Sequence, residues 1–320
     1  MLSKFPLQYL SGSGARAYPV VTLTWVVMAI SIVVMVLITA MVVIGALKRR
    51  NGPRTDAEGR PILVQRGGLG LIYVGTGLST LVLLAISVWT MVTLTTVAAP
   101  PGKPALTIEI RGRQWWWDVR YLDDDPNRVV HTADDFHIPV GKPVRFNLIG
   151  GDVIHSFWVP ALSGKMDTVP GQTNTMWLEA DRPGTYRGQC TEYCGAQHAH
   201  MGFTITAELE ADYEAWLAHQ REPAPAPATP QLAAAQGVFV ARCGECHAVE
   251  GTPAKGQFGP NLGHLMGRKS LAAGTLNNNP VQLSAWIADP QHVKPGCNMP
   301  WLALSGPELA SVRDYLATLN

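Results

Sequence analysis

The stretch Cys190-Thr-Glu-Tyr-Cys194-Gly-Ala-Gln-His198-Ala-His-Met201 places two thiols four residues apart, an imidazole four further on and a thioether three beyond that. These are soft or borderline donors, suited to copper or zinc rather than magnesium or calcium. Around it, Leu106 to Ile110, Val144 to Leu148, Thr173 to Leu178 and Phe203 to Leu209 tend to alternate apolar with polar residues between Gly, Pro and Asp turns. Residues 100–221 are therefore expected to form an all-β domain, a sandwich or Greek-key barrel. The metal loop falls between two of its last strands, where a rigid scaffold can fix its ligands, and Asp212 to His219 closes the domain as a short helix.

Upstream of Pro100 the pattern changes. Residues 1–17 are polar, with Gly and Ser at 11–14, and read as an extramembrane tail. Val20 to Leu47 carries no charge and exceeds the roughly 20 residues that span a bilayer as a helix. A second uncharged run follows from Gly67 to Ala99, so residues 18–99 are read as a hairpin of two transmembrane helices, at about 18–47 and 68–98. Lys48, Arg49, Arg50, Arg54, Arg60 and Arg66 lie between them, against Lys4 and Arg16 in the tail. The positive-inside rule then puts the connection in the cytoplasm and both termini outside.

Downstream, the Pro/Ala tract at residues 222–230 can form neither ladder nor helix and reads as an extended, semi-rigid linker. Residues 231–320 then read as a small α-helical domain. Its first helix, Gln231 to Arg242, leads into Cys243-Gly-Glu-Cys246-His247, a c-type haem attachment motif in which both thiols bind the haem and the adjacent His is an axial ligand. Ser305-Gly-Pro-Glu308 is a capping box, and Leu309, Val312, Leu316 and Leu319 give the closing helix an apolar stripe.

The chain has 320 residues, long enough for two or three domains, and its 47% hydrophobic against 15% charged content is high for a purely soluble protein. A net charge of +1 gives no support to nucleic acid as a partner. Four of five cysteines fall in the two motifs and only Cys297 is left over, which excludes a disulfide framework.

A blue-copper centre needs one thiolate, two imidazoles and a weak thioether. Two thiolates ask for something else: sulfurs four residues apart can bridge two copper ions in a mixed-valence centre. A second imidazole is then required, and His155, in Gly151-Asp-Val-Ile-His155-Ser-Phe-Trp-Val-Pro160, is the candidate. Structural zinc is the alternative, but zinc gains nothing from a Met in register. His200 lies beside His198, and only the spacing from Cys194 selects the latter; His131 and His137 read as surface or hydrogen-bonded histidines.

The loop C-x3-C-x3-H-x2-M, the upstream H-S-F-x-x-P and the helical hairpin before a β-domain resemble subunit II of haem-copper cytochrome c oxidases, over most of residues 18–218. The resemblance implies a cupredoxin-like fold and a binuclear CuA centre. It makes Cys190 and Cys194 the bridging thiolates, His155 and His198 the terminal ligands, and Met201 and the main-chain carbonyl of Glu192 the weak axial ligands. It also implies a magnesium or manganese ion on the Glu192 side chain, shared with subunit I. Gln114-Trp115-Trp116-Trp117-Asp118 resembles the family's aromatic run over the copper. Three Trp on one strand cannot share a face, so at least one is expected at the surface. The resemblance makes Trp115 the point where electrons arrive and leaves Trp116 and Trp117 to packing. Lys165-Met-Asp167 resembles a segment near the subunit I interface, whereas Gln65-Arg-Gly-Gly-Leu lacks the acidic residue that often opens a proton channel in the family.

Lys294-Pro-Gly-Cys-Asn-Met299-Pro300 resembles the sixth-ligand loop of class I cytochromes c, and Gly259-Pro-Asn-Leu262 the segment packed on the proximal His. Met299 is thereby the sixth ligand in preference to Met266. Cys297 reads as a small buried loop residue, with a competing thiolate ligand as the alternative.

Together these imply an electron-input subunit with a fused cytochrome c domain, as in caa3-type oxidases. Electrons from a donor such as a bc-type complex or a cytochrome would enter at haem c and pass through CuA to the haem of subunit I, where oxygen is reduced with proton translocation. No residue of this chain is catalytic in that reaction. The expected location is the bacterial inner membrane, in contact with lipid and other oxidase subunits, with the N-terminus, CuA and haem on the periplasmic side. The rivals are the input subunit of another haem-copper reductase, such as one reducing nitric oxide, and a copper storage or assembly protein.

Overall fold

The computed structural model describes residues 6–48, 57–59 and 69–320. Lys4, Arg49, Arg50, Arg54, Arg60, Arg66 and the segment Gln65-Arg-Gly-Gly lie outside the described residues. The chain divides into two compact units, one of Pro19–Val97 and the other of the segment ending at Tyr18 together with Ala98–Asn320.

The smaller unit consists of α1 (Ala17–Leu47) and α2 (Leu69–Ala98), both long and apolar enough to cross a membrane, with mean hydropathy of 3.0 and 2.1. In a bilayer every polar group needs an internal partner. Thr24, Ser31, Thr80, Ser87, Thr90 and Thr96 meet this by donating their hydroxyls to the carbonyl four residues back.

In the larger unit, β1 (Leu106–Arg113), β2 (Trp116–Tyr121), β3 (Val130–Ala133), β5 (Val144–Gly150) and β8 (Thr173–Leu178) form one sheet, in the order β3-β2-β1-β5-β8. A second sheet has β4 (Asp135–Pro139), β6 (His155–Trp158), β7 (Met166–Thr168), β9 (Gly184–Cys190) and β10 (Gly202–Glu208), in the order β4-β10-β9-β6-β7. β1 runs parallel to β5 and β10 parallel to β4, the crossovers of a cupredoxin-like sandwich, while the other pairs are antiparallel. Burial alternates along β1, β2 and β5 because successive side chains point to opposite faces. Helix α3 (Glu210–Gln220) closes the sandwich.

The core is aromatic. Phe157 lies 4.6 Å from Phe203, 5.5 Å from Trp117 and 5.6 Å from Phe146, ring centre to ring centre. Phe157→Ala is expected to destabilise this domain by about 3–5 kcal/mol, read as a lower denaturant midpoint in far-UV circular dichroism.

Two departures from the sequence reading bear on function. The tail is partly built into the sandwich: Ser13 N–H donates to Ala161 O at 2.7 Å, Asp181 N–H donates to Ser13 O at 3.0 Å, and buried Arg16 donates to Trp177 O at 2.8 Å. Strand β10 is buried on both faces although Gly202-Phe-Thr-Ile-Thr-Ala-Glu alternates. Part of that second cover comes from the C-terminal domain, where Gly202 N–H donates to Ala273 O at 3.1 Å.

That domain contains α4 (Pro230–Cys243), α5 (Pro280–Ala288), α6 (Pro290–Val293), α7 (Gly306–Leu316) and a small ribbon of β11 (Ser270–Leu271) and β12 (Leu276–Asn277). Thr229 caps α4 by accepting from Leu232 N, and Pro230 at its first position fits the fixed φ of a helix start. The Ser305/Glu308 capping box forms in both directions. Phe239 meets Tyr315 at 5.2 Å, and Val312, Leu316 and Leu319 are buried in the same core. The Pro/Ala tract is non-helical as its composition requires, but it is no free tether: Ala224 N–H donates to Glu250 O at 2.9 Å, and Ala224 packs on the C-terminal core.

Candidate metal centre

Strand order brings the copper-type donors together. β6 lies beside β9, so His155, the first residue of β6, is carried to Cys190, the last of β9. Cys190 N–H donates to Met201 O at 3.0 Å, closing the loop across its own ends. The ligand atoms of His155, Cys190 and Cys194 lie within 4.8 Å of one another, and all three residues are buried. Cys194 Sγ is 3.8 Å from Cys190 Sγ, 3.6 Å from His198 Nδ1 and 3.8 Å from Met201 Sδ. Cys190 Sγ lies 3.3 Å from the carbonyl of Glu192, whose side chain is exposed. His200 points elsewhere, to Gln197 Oε1 at 2.7 Å, and His137 is bonded to Glu208 at 2.8 Å and stacked on Trp216.

Two observations show that the cluster fits a soft metal. His155 Nε2 is held by Asp152 Oδ1 at 2.8 Å, which leaves Nδ1 buried without a hydrogen-bond partner. Such an orphan is costly unless something binds it. Cys190 and Cys194 also share polarity: the Cys194 thiol donates toward Cys190 and holds it well below the usual thiol range, at about 4, while Cys194 is pushed up. Burial alone would lower the pKa of His155, but Asp152 and Cys190 outweigh it and raise it. Gly195, at φ 115°, keeps the loop's tight bend, and a Cβ there would press on Trp115 Cζ2 at 2.9 Å.

The tryptophans correct the sequence reading. They do not lie on one strand: β1 ends at Arg113, the chain turns at Gln114 and Trp115, and β2 begins at Trp116. Trp117 is in the core, and Trp116 is half-buried under the Arg113 guanidinium at 5.7 Å. Trp115, expected as the point of electron arrival, is only 7% exposed and donates its indole N–H to Cys194 O at 2.9 Å.

In the C-terminal domain, Cys243 ends α4 and Cys246 and His247 follow in a turn, with Cys246 N–H and His247 N–H both donating to Cys243 O. His247 Nδ1 is held by Pro260 O at 2.8 Å, which leaves Nε2 available for coordination. A Cβ on Gly259 would overlap the His247 ring, so this position requires glycine. These donors fit an axially ligated haem. Met299 is half-buried, its carbonyl held by Gln291 Nε2 at 2.8 Å, whereas Met266 packs on the domain core. Cys297 packs against the sandwich core, and burial raises its thiol pKa.

The family model for the cytochrome c oxidase subunit II periplasmic domain matches residues 120–208, and that for cytochrome c matches residues 232–320. The chain carries a cytochrome c oxidase subunit II periplasmic domain followed by a cytochrome c domain. It is 40% identical over 221 residues to "Cytochrome c oxidase subunit 2" of Alkalihalophilus pseudofirmus and 33% identical over 230 residues to the protein of that name from Bacillus sp.. Each match covers 68% of this chain and 63% of the relative, so the chain spans less than two thirds of their length. The periplasmic domain of subunit II of cytochrome oxidase (CoxB) of Bradyrhizobium japonicum is 31% identical, with a TM-score of 0.36, over 38% of this chain and 96% of that one. A subunit II domain implies copper, and a cytochrome c domain implies haem.

Asp152 escaped the sequence reading. An acid three residues before a histidine on a bend was the available signal. Because it orients His155, Asp152→Asn is expected to weaken copper binding about 10- to 100-fold in a chelator competition, with an unchanged circular dichroism spectrum.

Proposed function

We propose that this chain is the electron-input subunit of a haem-copper cytochrome c oxidase in the bacterial inner membrane, with both redox domains on the periplasmic side. Cys190, Cys194, His155 and His198 would hold a binuclear CuA centre, with Met201 Sδ and the Glu192 carbonyl as weaker donors. Cys243 and Cys246 would attach haem c, and His247 and Met299 would ligate its iron. The Glu192 side chain, which is exposed, would hold magnesium or manganese shared with subunit I. When bound, the copper pair and the haem supply one-electron chemistry, and oxygen reduction and proton translocation belong to subunit I.

The observation that carries this reading is the short connection between the two donor sets. Lys294 of the Met299 loop contacts Trp115 O, and Trp115 contacts Cys194 O. Each domain's own residues do the remaining work. The aromatic core of the sandwich excludes water behind the sulfurs, Asp152 holds the His155 ring, and Pro260 O fixes the tautomer of His247. Such fixed ligands keep rearrangement on gain of an electron small.

The protein loaded with copper and haem is expected to show a mixed-valence binuclear copper signal in electron paramagnetic resonance together with a c-type optical band. A silent spectrum from copper-replete protein would falsify the CuA assignment. A visible pair without the c-type band would sink the haem assignment alone. Co-purification with a large subunit bearing its own haems tests the partner.

A further inference from the structure

A buried cation with no part in metal binding lies where the Met299 loop meets the copper loop. Lys294 is only 3% exposed, a rare state for lysine unless it is paired. Its Nζ donates to Trp115 O at 2.6 Å and to Ala272 O at 3.2 Å. On either side, Gln197 Nε2 donates to Pro295 O at 2.8 Å and Asn298 Nδ2 to Gln114 O at 3.3 Å.

The charge is balanced across the same interface. Asp134, buried in the left-handed turn between β3 and β4, accepts Trp117 N–H at 2.7 Å. Burial raises its pKa to about 6, against the pull of that hydrogen bond and of the Lys294 and Arg268 cations. Next to it, Asp135 accepts Lys269 N–H and the Thr204 hydroxyl. An ammonium of one domain thus lies in the field of a buried carboxylate of the other, with the Arg268 guanidinium as a second cation beside it.

We propose that Lys294 is a positioning residue: it locks the Met299 loop onto Trp115, so electrons cross between the two domains in one docked geometry and not by repeated encounters of a tethered domain. The proposal rests on the electron-input reading above. In each transfer one electron leaves the haem iron and one enters the copper pair, with no atom or proton exchanged. Tunnelling falls steeply with separation, so the contact that fixes the separation sets the rate.

The test is Lys294→Met in the full-length chain loaded with copper and haem, since Met is unbranched and removes only the ammonium. Both spectroscopic signals are expected to persist. Hydrogen exchange at Gly202 N–H and Lys269 N–H, which bridge the same interface, should accelerate at least about tenfold. Electron transfer from haem to copper after flash reduction should slow at least about tenfold by the same loss of contact. Unchanged exchange overturns the proposal, as does faster exchange with an unchanged transfer rate. Loss of either metal signal in the variant also overturns it, because Lys294 would then support a ligand set. In the unsubstituted protein the two amides must exchange as slowly as core strands; exchange at the rate of exposed loops refutes docking even if the variant does not fold. Missing copper or haem signals in the unsubstituted protein count instead against the electron-input reading, which the exchange measurement does not need.

Discussion

Replacing Cys194 by serine is expected to abolish the mixed-valence copper signal and leave at most a single weakly held ion. Cys194 is the hub of the donor set, with Cys190 Sγ, His198 Nδ1 and Met201 Sδ all 3.6–3.8 Å from its sulfur. A serine hydroxyl is hard, is not ionised near neutral pH and cannot delocalise an unpaired electron between two metals. The scaffold should survive, because the loop is closed by the Cys190 N–H to Met201 O bond and its main chain is held by Trp115 and Gln114 on Cys194 O. The c-type optical band is expected to be unchanged, since Cys243 packs on a separate core and Cys246 and His247 follow it in the next turn. Copper content and the electron paramagnetic resonance spectrum, measured on one sample with the haem as internal standard, decide the matter. A mixed-valence spectrum that persists in the variant would rule out Cys194 as a bridging ligand.

The donor set was legible because its chemistry is local. Four of its side chains fall within twelve residues, and His155 was reachable through the aromatic and β-rich residues that follow it. The strands were legible where burial alternates between the two faces, as in β1 and β5. Reading failed wherever a second domain changed what is outside. Thr204 and Thr206 alternate with apolar residues and so read as a solvated face of β10, yet both are buried, and Gly202 N–H just before them is bonded to Ala273 O. Lys294, in a polar-looking Lys-Pro-Gly turn, gave no sign that its charge is buried, because the partner carbonyl of Trp115 lies 179 residues away in the chain. Trp115 was misplaced for a different reason: period-two reasoning assumes a strand, and the residue lies in the turn between two.

Ending the chain after Arg221 is expected to move two rates in opposite directions. Oxidation of the physiological donor by the assembled oxidase should fall by about 100-fold or more, because the haem domain is gone and electrons then reach the copper loop only by diffusional encounter, without a relay held at the millimolar effective concentration of a linked module. Reduction of the copper pair by a small artificial donor should rise, because Trp115 and the rim of the copper loop lose the cover of Lys294, Pro295 and Asn298. The copper ligands all precede the cut, as does the sandwich core apart from Cys297, which packs only at its edge, so the mixed-valence signal is the control for folding. A loose tether predicts a different pair of results. If the haem domain touched the copper loop only occasionally, Trp115 would be open in the full-length chain already, and removing residues 222–320 would leave the artificial donor's rate unaltered. A tightly docked domain predicts the gain. The ratio of the two rates, full-length against shortened chain, therefore separates a domain that is held from one that is merely attached, and equal losses with both donors would exclude a role for the C-terminal domain in delivering electrons to the copper loop.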